Sequence, residues 1–176
     1  PSFSEISSIA SGLFFKEDRA AVVVVSAGEK TIGLSQMDRG GRLSFPRQLL
    51  IGDGEPLVCE AVDLDGDGYD ELALVSESKS EMALTLARPE NRRNTDSSWV
   101  VLSRTVLTGV KRKPFEIREV AVFEGNRSGL MIFVPREAPV LLFSEEVDGV
   151  VLKEVAQAST IRESLLKDIQ PAQVSV

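Results

Sequence analysis

A chain of 176 residues with 43% hydrophobic and 27% charged residues is long enough to bury a core and too apolar to be disordered. Its formal net charge of −7 argues against nucleic acid and anionic membrane surfaces as partners, and no apolar run approaches the roughly 18 residues of a membrane span. The single cysteine, Cys59, excludes an internal disulfide and a cysteine zinc site, while the absence of histidine excludes a catalytic triad and most transition-metal centres, which leaves hard-oxygen chemistry.

In chain order, the sequence opens at Pro1 with no initiator Met and no signal peptide, as expected of a processed or excised piece. FSEISSI, AAVVVVSA, TIGLSQM and LSFPRQLLI follow as strand-like runs, the second continuous and β-branched as for a strand buried on both faces. PLVCEAV, ELALVSE, EMALTLA and WVVLSRTVL form the next group, and EIREVAV, LMIFV, PVLLFSEE and GVVLKEV the last. Turn residues cluster between them, as in GDGEP, RPENRRNTDSS and EGNRSG. Near the C-terminus, STIRESLLKDI has the capping-box and apolar spacing of a short helix, with an irregular crossover as the alternative. The expected fold is all-β.

A coarse repeat underlies these runs. EAVDLDGDGYDELALV (60–75) falls on EVAVFEGNRSGLMIFV when shifted by about 59 residues, and on SGLFFKEDRAAVVVV when shifted back by about 50. This layout implies units of four strands at about 2–52, 53–108 and 109–157, with residues 158–176 opening a further one. Successive four-stranded units of this period predict β-propeller blades: about three antiparallel blades in an open or partial propeller. A closed ring needs about four to eight blades, so the expectation is a longer parent chain or closure by oligomerisation. Open outer faces behind VVVV and MIFV predict self-association.

The middle unit carries the chemistry. DLDGDGYDEL crowds Asp63, Asp65, Asp67, Asp70 and Glu71 between two strands. Counted from Asp63, side-chain oxygens fall at positions 1, 3 and 5, Gly68 stands at 6, the Tyr69 carbonyl at 7 and Glu71 at 9. Several hard oxygens on one tight turn suit calcium better than magnesium. An EF-hand would need a Glu at position 12, which is Leu74 here, and flanking helices. The bland alternative is a solvated acidic turn.

DxDGDGxxE between a strand ending in Val and a strand beginning LALV resembles the FG-GAP/VCBS calcium-binding repeats of integrin-like β-propellers. The resemblance implies a Ca²⁺ held by the side chains of Asp63, Asp65, Asp67 and Glu71 and the backbone carbonyl of Tyr69, with Asp70 pointing away as a solvated acid. Glu71 stands where many members of the family carry Asp. In the other units the corresponding first and last positions are Leu13 and Ala21, and Val122 and Leu130 with Glu124 and Asn126 between, so neither is expected to hold metal.

The basic runs Arg92–Arg93 and Lys111–Arg112–Lys113 read as solvated loops, Trp99 as a packing residue and Cys59 as a small buried hydrophobe. No catalytic constellation is legible. The resulting expectation is a calcium-stabilised, non-catalytic binding or scaffold module of a larger secreted or surface protein, located outside the cell, in the periplasm or on the cell surface. Its partner would be a protein or glycan ligand, with further blades in the parent chain or oligomer. The alternatives are a part of a propeller-type polysaccharide lyase or hydrolase, and a plain structural spacer.

Overall fold

The computed structural model describes residues 3–16, 19–79, 81–122, 127–144 and 152–157. Among them are twelve strands and no helix. The helix expected near residue 160, the opening strand of a further unit, and Glu124 and Asn126 all lie outside the described residues. Strands β1 (Ile6–Gly12), β2 (Ala21–Ser26), β3 (Thr31–Gln36) and β4 (Arg47–Leu49) form one antiparallel sheet in chain order. A second contains β5 (Glu55–Val62), β6 (Glu71–Ser78), β7 (Glu81–Pro89) and β8 (Trp99–Val106). The third contains β9 (Glu116–Val122), β10 (Arg127–Phe133), β11 (Val140–Ser144) and β12 (Leu152–Gln157). Each strand falls on one of the apolar runs read in the sequence, because turn residues interrupt every one of those runs.

The middle sheet is buried on both faces, and the two-residue period of a strand explains how. Along β6, Leu72 and Leu74 join a core with Val23, Val25, Ile32 and Leu34 of the first sheet. Ala73 and Val75 point the other way, into a core with Ile117, Leu130, Ile132 and Leu142 of the third sheet. The continuous apolar string ELALV therefore serves two interfaces. The sheets stack in sequence order, with β1 lying against β5 and β5 against β9.

β2 is buried nearly throughout, as its continuous valines predict. Its outer side is covered from within the first sheet. Gly33 pairs with Val24, Phe3 lies over Gly33, and Phe45 meets Phe3 edge-on at 6.0 Å between ring centroids. Ile6, Ile9 and Phe45 remain exposed.

An up-and-down meander alternates its connections between two ends. At one end, Glu55 at the start of β5 meets Lys30 at 3.0 Å and Lys113 at 3.2 Å, and Lys113 also reaches Glu77 at 3.1 Å. Lys30 and then Lys113 hold the Glu55 carboxyl below its usual range. These exposed pairs join groups from all three units but add little stability. The acidic loop lies at the other end.

Candidate metal centre

Val62 pairs with Glu71 across the β5–β6 hairpin, and Gly12 pairs with Ala21 across β1–β2. The two hairpins thus coincide under a shift of 50, and Leu13 and Ala21 stand where Asp63 and Glu71 stand in the middle sheet. In the third sheet Val122 pairs with Arg127, so residues 123–126 make a connection half as long as residues 63–70. Leu130 consequently sits inside β10, paired with Glu119, rather than at the end of a loop. The shift of about 59 had placed it at the loop's end because sequence alignment alone does not register that fewer residues separate β9 from β10.

The loop is wound around Asp63. Its Oδ1 accepts the backbone N–H groups of Gly66 at 2.8 Å and Asp67 at 3.1 Å, and its Oδ2 accepts that of Gly68 at 2.9 Å. Asp65 Oδ1 also accepts the Asp67 N–H at 3.1 Å, and Asp67 Oδ1 accepts the Tyr69 N–H at 2.8 Å. Such side-chain turns need backbone segments that curl tightly. Gly66 and Gly68 supply them with φ of +74° and +83°, a region closed to most side chains though not crowded here.

Glu71 is the first residue of β6 and has 0% exposure. Its Oε2 accepts the Leu64 N–H at 3.2 Å, which turns the carboxylate back toward the loop. Oxygens of Asp63, Asp65 and Glu71 all lie within 4.8 Å of one another. Asp67 is not in that group; its Oδ2 lies 3.8 Å from Arg92 Nη2, the nitrogen that also meets Glu71. The Tyr69 ring lies beneath two cations, Lys16 Nζ at 5.6 Å and the Arg92 guanidinium carbon at 5.5 Å from its centroid.

Two expectations are corrected by this geometry. Asp70 does point away from the carboxylate cluster, but it is not a freely solvated acid. Its Oδ2 accepts the Leu13 N–H at 2.5 Å, and its own N–H donates to the Leu13 carbonyl at 3.1 Å, tying the first sheet's hairpin to the second's. Gly12 permits this approach, since a Cβ there would sit 2.6 Å from both Ala61 Cβ and Asp70 Oδ2. Arg92, read as part of a solvated basic run, is buried. Its Nη2 lies 2.5 Å from Glu71 Oε1, and its Nη1 donates to the carbonyls of Asp70 at 3.0 Å and Phe14 at 3.4 Å. Arg88 adds a weaker contact to Asp65 at 3.5 Å.

Other readings agree with the structure. Trp99 packs against Phe14 and Phe15, with ring centroids 5.4 and 6.4 Å apart. Cys59 is buried, which pushes its thiol up to about 12 and leaves it a packing group. A cleft of about 270 Å³ opens at the same end of the molecule, lined among others by Phe15, Arg19, Met37, Asp38 and Thr95.

Burial, reinforced by the nearby Asp65 charge, raises the Glu71 carboxyl from its usual value of 4.5 to about 7, although Leu64 N–H and Arg92 pull it down. The folded protein therefore holds a proton that the unfolded chain has already released between pH 4.5 and 7. Stability in chelator should consequently fall as pH rises through that window. Glu71→Gln should remove this component of the slope. Glu60, also raised by burial, is present in both proteins and drops out of the difference. Urea denaturation of the two proteins at several pH values checks it; parallel pH profiles would contradict the assignment.

The carboxylates fit a hard cation: three converge, one is fully buried, and the loop already holds them in place through backbone N–H groups. No family model and no curated protein matches this chain.

Proposed function

We propose that this chain is a cation-stabilised, non-catalytic binding or scaffold module of a secreted or surface protein, built as part of an open β-propeller. The observation that carries this reading is the convergence of Asp63, Asp65 and Glu71 within 4.8 Å at one end of the middle sheet. The ordered stacking of three four-stranded meanders, first strand against first strand, supports the blade assignment.

Calcium is the cation of choice because the donors are hard oxygens in an irregular arrangement. Asp63, Asp65 and Glu71 would hold it, with Asp67 and the Tyr69 carbonyl completing the set. Four site carboxylates face two arginines, which leaves a residual charge of two negatives once Glu71 is ionised. A divalent ion matches that residue. Its role would be structural: it would fix the β5–β6 loop, and through Asp70 and Leu13 the neighbouring hairpin, so that this end presents a defined surface to a protein or glycan partner. The 270 Å³ cleft beside these loops is the concave part of that surface.

Calcium titration calorimetry should give one site per chain, with a Kd of roughly 10⁻⁴–10⁻³ M, the range of extracellular modules. A hundredfold excess over Kd should stabilise the fold by about 2.7 kcal/mol. Asp65→Ala should abolish the calcium-dependent rise in melting temperature. Asp70→Ala should lower the melting temperature itself but keep the calcium increment. Absence of both binding heat and thermal shift at millimolar calcium would return the loop to a plain acidic turn.

A further inference from the structure

Arg92 comes from the β7–β8 connection, 21 residues after Glu71, yet it reaches the centre of the acidic loop. It is buried there and uses both terminal nitrogens: one on the Glu71 carboxylate, the other on the carbonyls of Asp70 and Phe14. The same residue's carbonyl accepts the Lys16 N–H at 2.7 Å, so its backbone is bound to the first sheet's hairpin as well. One side chain thus touches the connections of β1–β2 and β5–β6 while answering the charge of a converging carboxylate. A fixed guanidinium in that position does what a bound cation would do, namely offset the repulsion among the acids.

We infer that Arg92 is a resident cation of the acidic loop: it and a bound divalent ion are alternative counter-charges for Glu71, and Arg92 sets the affinity of the site by competing with the ion. The inference rests on the cation-site reading given above. Its physical basis is that a positive charge 2.5 Å from one ligand oxygen repels an incoming ion and occupies an oxygen the ion needs. Asp67 Oδ2 lies 3.8 Å from the same nitrogen, so Arg92 faces a second acid of the loop as well. In the apo protein Arg92 keeps the loop folded and the two hairpins together. On binding, the ion takes over the charge on Glu71, while the Asp70 and Phe14 carbonyls keep Arg92 in the interface. The cost of loosening the Arg92–Glu71 pair is subtracted from the binding free energy, which makes the site weak by construction.

Arg92→Met keeps a long apolar side chain and removes the charge; Arg92→Lys keeps a charge but not the fork that bridges Glu71 and the two carbonyls. Calcium calorimetry and thermal melting, with and without chelator, should be run on the whole chain with both variants. Arg92→Met should melt earlier than wild type in chelator, bind calcium at least tenfold more tightly, and gain a larger calcium-dependent rise in melting temperature. Arg92→Lys should keep an affinity within a fewfold of wild type. A methionine variant that folds only when calcium is added would support the exchange of counter-charges directly. A variant that folds but binds calcium no more tightly than wild type would overturn the role of Arg92 and leave the cation site standing. A variant that millimolar calcium does not fold would also overturn it, because the ion then does not replace the arginine. No binding by wild type or by a folded Arg92→Met would remove both readings together.

Discussion

Glu71→Ala should destabilise the protein by about 3–5 kcal/mol in chelator at pH 8, the magnitude associated with removing one partner of a buried ion pair. Arg92 would keep its charge, its burial and its contacts to the Asp70 and Phe14 carbonyls, but would lose the carboxylate it meets at 2.5 Å. Asp67, 3.8 Å away and half-exposed, is too distant and too hydrated to replace Glu71. Leu64 N–H would lose its acceptor at the same time. The double variant Glu71→Leu with Arg92→Met should recover most of the loss, because two apolar side chains of similar volume bring no charge into the interface. A double-mutant cycle of Glu71→Leu, Arg92→Met and the double variant, measured by urea denaturation, reads the coupling directly. Additive single effects, or a Glu71→Ala loss under 1 kcal/mol, would mean that the pair is not energetically joined in solution.

The second large effect belongs to the core. Leu74→Ala should cost about 2–5 kcal/mol, through lost burial and the cavity left behind. Leu74 is 1% exposed and packs into the core shared by the first and second sheets, where the flanking strands are fixed by hydrogen-bonded neighbours and close only partly around a void. Leu50, 85% exposed, is the matched control, and Leu50→Ala should change stability by less than about 0.5 kcal/mol. Denaturation midpoints with unchanged m-values would check both. A small Leu74→Ala effect would show that the first two sheets are not tightly stacked in solution.

Both expectations concern residues that also touch the first sheet, and contacts of this kind are where sequence and tertiary structure part company. The strands were legible because apolar runs of strand length recur between turn residues: AAVVVVSA announces a strand buried on both faces, and β2 is buried nearly throughout, whereas ELALVSE announces a strand whose double burial only the structure shows. The order of strands followed from short connections, which leave a chain no room for anything but antiparallel neighbours. The acids at Asp63, Asp65 and Glu71 were legible too, since alternating carboxylates and glycines confine a turn locally. The correspondence of the first and second hairpins was visible as a shift of 50 because their connections are equally long.

Arg92 was not legible as a buried residue. Beside Arg93, in a connection rich in Asn, Asp and Ser, it has the local appearance of a solvated base. A signal did exist in the topology: in a meander the β5–β6 and β7–β8 connections lie at the same end, so an arginine in one is within reach of acids in the other. That signal gives only proximity. Whether Arg92 or Arg93 turns inward depends on the Asp70 and Phe14 carbonyls that receive it, and the second of these is placed by the docking of the first sheet. Asp70 shows the same dependence, because its partner is the Leu13 N–H, which belongs to another sheet. By itself the sequence determined the strands, their order and the acidic turn, since spacing and turn chemistry act over a few residues. Only the tertiary structure decided that Asp70 is tied to the neighbouring hairpin and that Arg92 is buried beside Glu71, because Leu13 and Phe14, which receive them, come within reach only when the first two sheets pack.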